Sequence, residues 1–441
     1  LLQSIQITND GGFILGGTSS SNKGIDKKED AKGQEDFWII KLDAKGSELW
    51  QKTIGGSGQE KLLSITQTKD GGYLLGGTSS SDKNEVDGNV PVDIYAKNED
   101  SKGNLDFWVV KLDSKGVVVW QKTIGGIYID ELKSIIQTKD EGFVLGGYSN
   151  SPVSGNKTAP NYGLGDYWIV KLNNEGVEEW QRTLGGDKDD NLFALSQTSD
   201  GGFIVGGNSN SGATNSKSSS NKNGTDFWVL KLDGIGNIVW QETYNYGEFD
   251  VLTSIVENQN GTYLIGGFAQ SEVKLNGQKS LDKSLKKEKE GINDYIALMI
   301  NARGEEIWTQ IVGSKGDEVM KKLFETRDGG YLLTGTSNGG ISRDKNTAKG
   351  GNDFWVVKMR DNTKPPKGRI SLEAIPNPAS SYTNVIVNFE YTYGTASLYD
   401  LSGRNLQSFK INGERTVPMN LSNYPQGIYV VEINTDTEKG G

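Results

Sequence analysis

Apolar and polar positions along this chain follow a pattern that recurs about every 60 to 70 residues. Each copy has two short apolar runs around an Asp-Gly-Gly type turn, then a long polar segment. An acidic residue with an aromatic pair, a third apolar run, a turn and a run containing Trp complete the copy. The turns begin at Asp10, Asp70, Asp140, Asp200, Asn260 and Asp328. A fixed period of this length predicts a repeat architecture.

Each copy is interpreted as four β-strands. In the second copy they are predicted at 62–68, 73–77, 107–113 and 117–123. Glycine supplies the positive φ that the first hairpin turn needs, and β-branched and aromatic residues favour the strands. Four-stranded units repeated around an axis predict a β-propeller. A solenoid is the alternative, but the bulky Trp positions favour sheets packed face to face around an axis.

The strand count predicts an all-β chain with a six-bladed β-propeller over residues 1–360. Strands one to three occur six times, whereas the Trp-bearing fourth strand occurs five times. We expect the missing strand to come from before Leu1 and to close the ring by pairing N-terminal and C-terminal strands in one sheet. Seven or eight blades are the alternative if whole units precede Leu1. All ten Trp residues obey the repeat, which indicates a packing role.

Composition narrows the possible functions. The net charge of −10 and the pI near 4.9 argue against a nucleic-acid partner. The 441 residues include neither Cys nor His, which excludes thiolate chemistry, disulfides and the commonest general base. No run of 18 apolar residues predicts a transmembrane segment. The chain starts inside a strand pattern without a signal peptide, so we expect a mature or partial chain.

One carboxylate recurs ten residues before each available Asp-Gly-Gly type turn. The five copies are Glu60, Asp130, Asp190, Asp250 and Glu318. If strand one is innermost, they would form a ring at the mouth of the central channel and could bind Ca²⁺ or a cationic ligand, because hard cations take oxygen ligands. The alternative is a structural acid that accepts backbone N–H bonds between blades, and recurrence in every blade favours it. No other cofactor or metal is predicted.

A second acidic residue opens every aromatic block, and we expect it to fix the turn into strand three. Its copies are Asp36, Asp106, Asp166, Asp226, Asp294 and Asp353. The loops between strands two and three are long and polar. They cover 18–35, 78–105, 148–165, 208–225, 268–293 and 336–352. They are interpreted as solvated segments or as a recognition face, and the Lys-rich stretch 279–289 as a flexible charged segment.

The repeat resembles the kelch repeat. The residues that carry the resemblance are the Gly-Gly that ends strand two, Leu112-Asp113, and Trp120 seven residues after that Asp. The aromatic pair Phe107-Trp108 and the long loop between strands two and three depart from the kelch pattern. The repeat is also similar to those of secreted bacterial propellers. The resemblance implies six blades. It says little about function, because propellers carry many different activities.

A different module follows the repeats. Residues 361–369 are polar and Pro-rich and are predicted to be a linker. Residues 370–441 are predicted to form a small Ig-like β-sandwich. Its strands are expected at 370–374, 384–390, 395–400, 406–411, 416–420 and 428–433.

This module resembles the type A C-terminal sorting domain of type IX secretion cargo in Bacteroidota. Three motifs carry the resemblance, and their key residues are Pro376, Asn377, Pro378, Tyr399, Asp400, Gly403, Gly427, Ile428 and Tyr429. The resemblance implies recognition by the outer-membrane translocon and its shuttle proteins. It also implies a protein that is secreted or anchored at the outer-membrane cell surface. The chain ends in Thr-Glu-Lys-Gly-Gly, so the family's last strand is expected to be lost or truncated.

The favoured function is a secreted or cell-surface binding protein of the adhesion type, without enzymatic activity. Its propeller loops would meet a glycan or a surface protein. One alternative is a polysaccharide-active enzyme, which predicts carboxylates and aromatics that break the repeat on one face; the sequence shows no such cluster. The other is a structural component of the surface motility or secretion machinery. The resemblance places related cargo in adhesion and gliding motility.

Overall fold

The computed structural model describes residues 1–83, 93–222, 224–258, 260–271, 293–326, 329–360, 372–377, 379–425, 427–437 and 439–440. Regular structure in these ranges consists of β-strands. The described residues contain no helix long and apolar enough to cross a membrane. The linker 361–369, the stretch 279–289, Asp328 and Pro378 were singled out in the sequence but lie outside the described residues.

The first 23 strands form six antiparallel sheets. The first three sheets contain β1 (Leu2–Ile7), β2 (Phe13–Ser19), β3 (Asp36–Leu42) and β4 (Glu48–Ile54); β5 (Glu60–Gln67), β6 (Tyr73–Ser79), β7 (Asp106–Leu112) and β8 (Val118–Ile124); and β9 (Asp130–Gln137), β10 (Phe143–Ser149), β11 (Asp166–Leu172) and β12 (Glu178–Leu184). The others contain β13 (Asp190–Gln197), β14 (Phe203–Ser209), β15 (Asp226–Leu232) and β16 (Ile238–Tyr244); β17 (Gly247–Glu257), β18 (Tyr263–Ser271), β19 (Asp294–Ile300) and β20 (Glu306–Val312); and β21 (Glu318–Glu325), β22 (Tyr331–Ser337) and β23 (Asp353–Met359).

Each sheet is a meander in chain order, which confirms the predicted unit. The observed strands differ from the predicted ones by up to two residues at each end. The third strand of the second sheet, for example, begins at Asp106, because this residue still pairs with Ser79 of β6. The sixth sheet has three strands within the described part of the chain, as the strand count predicts.

The first strands of successive sheets contact each other and therefore lie nearest the axis, as a propeller requires. Between β1 and β5, Ser4 Oγ lies 3.5 Å from the carbonyl of Ile65, and the backbone N–H of Gln67 donates to Gln6 Oε1 at 2.7 Å. The six sheets thus form the blades of an all-β propeller, in agreement with the predicted fold.

Aromatic rings connect neighbouring blades. A ring on strand three of one blade packs against the Trp on strand three of the next, with centroid distances of 4.8 Å for Phe37 and Trp108 and 5.0 Å for Phe107 and Trp168. Trp108 and Trp168 are fully buried, and each indole N–H donates to a Gln on strand four. Large aromatic side chains dominate core energetics, so these contacts confirm the packing role of Trp.

The first and sixth blades each have one face that no neighbouring blade covers within the described residues, and apolar side chains on these faces are exposed. Phe354 is 94% exposed, whereas its counterpart Phe107 is fully buried. Leu2, Ile5 and Ile7 on β1 are also exposed. Among the described strands, β1 pairs with β2 and β23 pairs with β22. Closure by a strand from before Leu1, and a blade number of seven or eight, stay predictions.

The C-terminal strands form two sheets. One contains β24 (Leu372–Ile375), β25 (Tyr382–Val387) and β28 (Thr416–Asn420); the other contains β26 (Gly394–Asp400), β27 (Asn405–Ile411), β29 (Tyr429–Thr435) and β30 (Lys439–Gly440). Val385 and Met419 from one sheet and Leu398 and Ile433 from the other belong to one buried core. This arrangement is the predicted small sandwich. The last strand, β30, has two residues.

Candidate functional site

The five recurring carboxylates of the strand four to strand one connection are fully buried. Glu60, Asp130, Asp190 and Glu318 each begin a first strand, and Asp250 lies inside β17. Since none of the five is exposed, they do not line an open channel mouth, and that part of the prediction is wrong. Each carboxylate is instead enclosed at the start of its blade's first strand.

Each of these carboxylates accepts a backbone N–H from four residues upstream, as the structural alternative expects. The N–H of Gly126 lies 2.6 Å from Asp130 Oδ2, and that of Gly186 lies 2.7 Å from Asp190 Oδ2. Serine hydroxyls add further bonds; Ser151 Oγ, for example, donates to Asp130 Oδ2 at 2.9 Å. Burial raises the pKa of Asp130 and Asp190, and it raises that of Asp250 to about 7.

The aspartates that open strand three use one oxygen to fix the preceding turn, as expected. The Oδ2 atom of Asp106 accepts the N–H of Lys102 at 2.7 Å, and that of Asp166 accepts the N–H of Tyr162 at 2.6 Å. Burial raises the pKa of Asp166 to about 7, and the nearby charge of Asp190 adds to the shift. The other oxygen, Oδ1, points elsewhere.

Carboxylates from neighbouring blades meet at a glycine. A Cβ built on Gly185 would lie 1.8 Å from Asp166 Oδ1 and 2.9 Å from Asp190 Oδ2, so a side chain at this position would require the carboxylates to move. We call this kind of position a glycine junction. In the other copies the Cβ would approach the Oδ1 atom of Asp36, Asp106 or Asp294 to within 2 Å. The glycine junctions are Gly55, Gly125, Gly185 and Gly313.

At three glycine junctions a buried carboxylate oxygen has no hydrogen-bond donor within the described residues. These oxygens are the Oδ1 atoms of Asp36 at Gly55, Asp106 at Gly125 and Asp166 at Gly185. The hydroxyls of Ser149 and Ser209 bond to Asp130 and Asp190 and lower their pKa values against the effect of burial. A buried polar group without a hydrogen bond costs about 1–3 kcal/mol, and a charged one costs more.

The junction between the fourth and fifth blades is built differently. Asn245 occupies the position of the glycine, and its Nδ2 atom donates to Asp226 Oδ1 at 2.6 Å. The oxygen that lacks a partner at Gly125 and Gly185 is therefore satisfied here by a side-chain N–H. Asp250 Oδ1, across the same junction, has no partner among the described residues.

The loops between strands two and three contain a buried lysine that sequence analysis missed. The buried copies are Lys27, Lys97, Lys157, Lys217 and Lys345. The Nζ atom of Lys157 donates to the carbonyl of Ala159 at 3.0 Å and to Thr183 Oγ1 at 2.9 Å, and burial lowers its pKa to about 8. A signal was present: the lysine lies nine residues before the strand-three Asp in four copies and eight in the last. These loops are thus anchored and not merely solvated.

An exposed apolar patch interrupts the repeat on the side of these loops. Ile127, Tyr128, Ile129 and Val153 are between 38% and 59% exposed. The backbone N–H groups of the first three donate to side chains of 150–154, which holds the two segments together. The corresponding residues of the next copy are Asp187-Lys188-Asp189. We call Ile127, Tyr128, Ile129 and Val153 the apolar patch. Sequence analysis missed it because three adjacent apolar residues resemble a strand.

The sorting-motif residues form turns and strand ends of the C-terminal sandwich. Asp400 Oδ1 accepts the backbone N–H groups of Ser402 at 3.0 Å and Arg404 at 3.1 Å, and Gly403 has a φ of 81°, as a tight turn requires. Tyr399 lies next to Asp400 in β26.

The remaining motif residues lie at the entry to strands. The carbonyl of Pro376 accepts a bond from Thr383 Oγ1 at 2.8 Å, and Asn377 follows it. Tyr429 begins β29 and donates its hydroxyl to the carbonyl of Pro425, while Gly427 and the exposed Ile428 precede it. Only the exposed members, above all Ile428, are positioned to contact another protein directly.

Comparison with known families identifies the C-terminal module. Residues 373–440 match the family described as "Secretion system C-terminal sorting domain". This confirms the resemblance to type IX sorting domains. The chain is cargo that the type IX system exports to the cell surface or the extracellular space.

The propeller has more distant relatives. The chain is 23% identical over 422 residues to the regulatory protein FlaEY of Caulobacter vibrioides, a match that covers 89% of this chain and 41% of that protein. The chain thus spans less than half the length of this relative. Among solved structures, the WD40 domain of Neurospora crassa Pan2 is 13% identical, with 82% of this chain and 90% of that chain covered and a TM-score of 0.39. A DUF4221 family member from Bacteroides vulgatus is 9% identical, with coverages of 81% and 92% and a TM-score of 0.36.

Proposed function

We propose that this chain is an exported binding protein of the adhesion type, whose propeller recognises a glycan or a protein at the cell surface. The apolar patch carries the proposal for binding. The next copy has Asp187-Lys188-Asp189 at these positions, and the patch is exposed on loops that hydrogen bonds hold in place. Recognition residues concentrate on such loops over a rigid scaffold. An exposed aromatic side chain such as Tyr128 can stack on a sugar ring or fill a pocket on a protein.

The buried acids support binding over catalysis. The carboxylates with raised pKa values, such as Asp166 and Asp250, are fully buried beneath the loops. A glycosidase needs two carboxylates that flank a bond of the polymer, and a polysaccharide cannot reach these side chains. They also recur from blade to blade, which fits a structural role.

The test of binding uses the apolar patch. The full chain and its Tyr128→Ala and Ile129→Ser variants are applied to a glycan array and to intact cells. We expect the wild type to bind a defined class of ligand and each variant to lose at least most of that signal. Val239→Ser, at an exposed apolar position on β16 outside the patch, is the control and should bind like the wild type. Equal binding by all four chains would remove the patch from the proposal.

Export is tested separately from binding. A chain without residues 370–441 is expected to stay inside the cell envelope, because the sorting domain that the translocon recognises is absent. Tyr128→Ala, which leaves the sorting domain unchanged, is expected at the surface or in the medium in normal amounts. Fractionation with surface proteolysis measures both. Normal surface delivery of the shortened chain would contradict the role of the sorting domain.

A further inference from the structure

We propose that the third blade binds a protein and not a glycan, through a continuous apolar surface that extends the apolar patch. This inference rests on the proposed function and decides between its two classes of partner. The surface adds to the apolar patch four exposed residues of the loop between β10 and β11, which are Pro152, Pro160, Tyr162 and Leu164. We call the apolar patch together with these four residues the third-blade surface.

The loop between β10 and β11 is apolar at five positions where the first two blades are polar. The corresponding loops of the first and third blades, 20–35 and 150–165, have the same length, so their positions can be compared directly. The first blade has Asn22, Lys23, Asp30, Lys32 and Gln34 at the positions of Pro152, Val153, Pro160, Tyr162 and Leu164. The second blade, counted from the same strand ends, has Asp82, Lys83, Asp100, Lys102 and Asn104. The change to apolar residues is thus concentrated on one face of one blade.

The residues of the third-blade surface lie next to one another. In the first blade the backbone N–H of Lys23 donates to Asp30 Oδ1 at 3.1 Å, so the two limbs of that loop meet. Val153 and Pro160 take these two places in the loop of equal length. Backbone N–H groups of the apolar patch donate to side chains of 150–154, in the first of the two limbs. The patch and the loop therefore form one continuous surface.

The loop that carries this surface is held in one conformation. Proline fixes its own φ angle, and Pro152 and Pro160 lie on the two limbs. Between them, the buried Nζ atom of Lys157 donates to the carbonyl of Ala159 at 3.0 Å and to Thr183 Oγ1 at 2.9 Å. A surface that is rigid before binding loses less conformational entropy when a partner binds.

The serine hydroxyls beside the apolar patch are already bonded within the protein. Ser154 Oγ accepts the N–H of Ile127 at 3.0 Å and donates to a backbone carbonyl at 3.1 Å. Ser151 Oγ accepts the N–H of Tyr128 at 3.0 Å and donates to a buried carboxylate at 2.9 Å. Sugar hydroxyls placed on this patch would lose their hydrogen bonds to water without gaining replacements, which is unfavourable. This argues against a glycan.

The same surface suits a protein that presents apolar side chains. Tyr162 is 39% exposed and Leu164 is 64% exposed, and burial of apolar area is the main favourable term in protein association. The N–H of Leu164 donates to the carbonyl of Lys188 at 3.0 Å, which places the exposed, charged Asp187 and Lys188 at the edge of the surface. An apolar centre with a polar rim is the usual anatomy of a protein interface.

The experiment measures binding of the fluorescently labelled full chain to intact cells of the exporting strain that lack the chain themselves. The cells are untreated, digested with proteinase K or oxidised with periodate, and a glycan array is probed in parallel. We expect proteinase K to reduce the bound signal at least tenfold, periodate to leave it unchanged, and the array to stay blank. Binding that survives proteinase K but not periodate, or an array signal that Tyr162→Lys loses, would overturn the assignment in favour of a glycan.

Variants that carry the residues of other blades locate the surface. Val153→Lys and Tyr162→Lys introduce the residue type that the first and second blades have, and each should reduce binding to untreated cells at least tenfold. Ala213→Lys, at the exposed counterpart of Val153 in the fourth blade, is the matched control and should bind like the wild type. Thermal unfolding verifies that each variant is folded.

The outcomes separate this inference from the proposed function. Wild-type levels of binding by folded Val153→Lys and Tyr162→Lys would refute the third-blade surface as the binding site. Loss of binding in Ala213→Lys as well would show that an added charge anywhere on this face is enough, and would also refute it. A wild-type chain that binds neither the cells nor the array would instead refute the proposed function itself.

Discussion

The fifth blade differs from the second, third and fourth in ways that show how the repeat works. Strand three of the fifth blade carries Ile296 where the other three carry Trp. The connection before its first strand reads Asn245-Tyr246 where the earlier copies read Gly-Gly. Phe227, the ring that would meet that Trp, packs instead on Tyr246 at a centroid distance of 5.5 Å. An aromatic ring from the connection thus replaces the missing indole.

A second pair of residues changes together in the same blade. In blades two to four a buried lysine on strand three forms an ion pair with the Asp of the Asp-Gly-Gly type turn, as Lys111 does with Asp70 at 2.8 Å. The fifth blade has Met299 and Asn260 at these positions. Asn258 Nδ2 then lies 3.3 Å from Met299 Sδ. The repeat therefore preserves matched pairs and not single residues, and removing one partner alone should be costly.

The largest predicted effect comes from Trp168→Ile. This variant places in the third blade the residue type of Ile296 in the fifth, without the compensating ring of Tyr246. Trp168→Ile leaves Phe107 without the ring that packs against it and opens a cavity in a fully buried site. Substitutions of this kind cost about 3 kcal/mol, and we expect a loss of that size in chemical denaturation. Trp180→Ile, at the half-buried second Trp position, is the matched control and should cost less. Equal losses in the two variants would show that the interblade ring contact has no special weight.

A smaller effect is expected from breaking the ion pair. Asp70→Asn leaves the buried ammonium of Lys111 with weaker partners, and we expect a loss of about 1–2 kcal/mol. The double variant Asp70→Asn, Lys111→Met reproduces the pair of the fifth blade and should recover part of this loss. Urea denaturation of the two variants measures the difference. A double variant less stable than Asp70→Asn would contradict the view that the two positions form one unit.

The sequence predicted the blades well because their information is local and periodic. The alternation of residues such as Phe107 to Leu112 and the positive φ of Gly71 depend on neighbours within one blade. The position of Trp108 was also predictable, since a residue that recurs in blade after blade must serve packing.

The junctions were less predictable because their partners come from different copies. Whether Asp166 and Asp190 face each other depends on how two blades pack, and the spacing within a copy does not contain that information. Lys97 was interpreted as part of a solvated loop because lysines are mostly exposed. In the structure its backbone N–H donates to the carbonyl of Gly55, in the preceding blade, at 3.0 Å. The prediction of a carboxylate ring at the channel mouth was wrong for the same reason, because it also depended on how the blades pack.

The smallest predicted effect concerns the dependence of stability on pH. It distinguishes the acids at the glycine junctions, such as Asp166, from the acids of the Asp-Gly-Gly type turns, such as Asp70. Burial raises the pKa of Asp166 to about 7, above its value near 3.8 in the unfolded chain. Such a group binds a proton more tightly in the folded state, so its contribution to stability is full below pH 3.8 and is lost as the pH rises through about 7. For Asp70, burial is outweighed by hydrogen bonds from Lys111 and Thr68, and the pKa falls to about 2. Its contribution is present above pH 3.8 and is lost as the pH falls towards 2.

Thermal unfolding between pH 5 and pH 8 tests the junction acids without a contribution from Asp70, which stays ionised throughout this window. We expect a higher unfolding temperature at pH 5 than at pH 8, and a smaller difference in Asp166→Asn, which cannot ionise. An unfolding temperature that depends on pH equally in the wild type and in Asp166→Asn would mean that Asp166 does not bind a proton more tightly in the folded chain within this window.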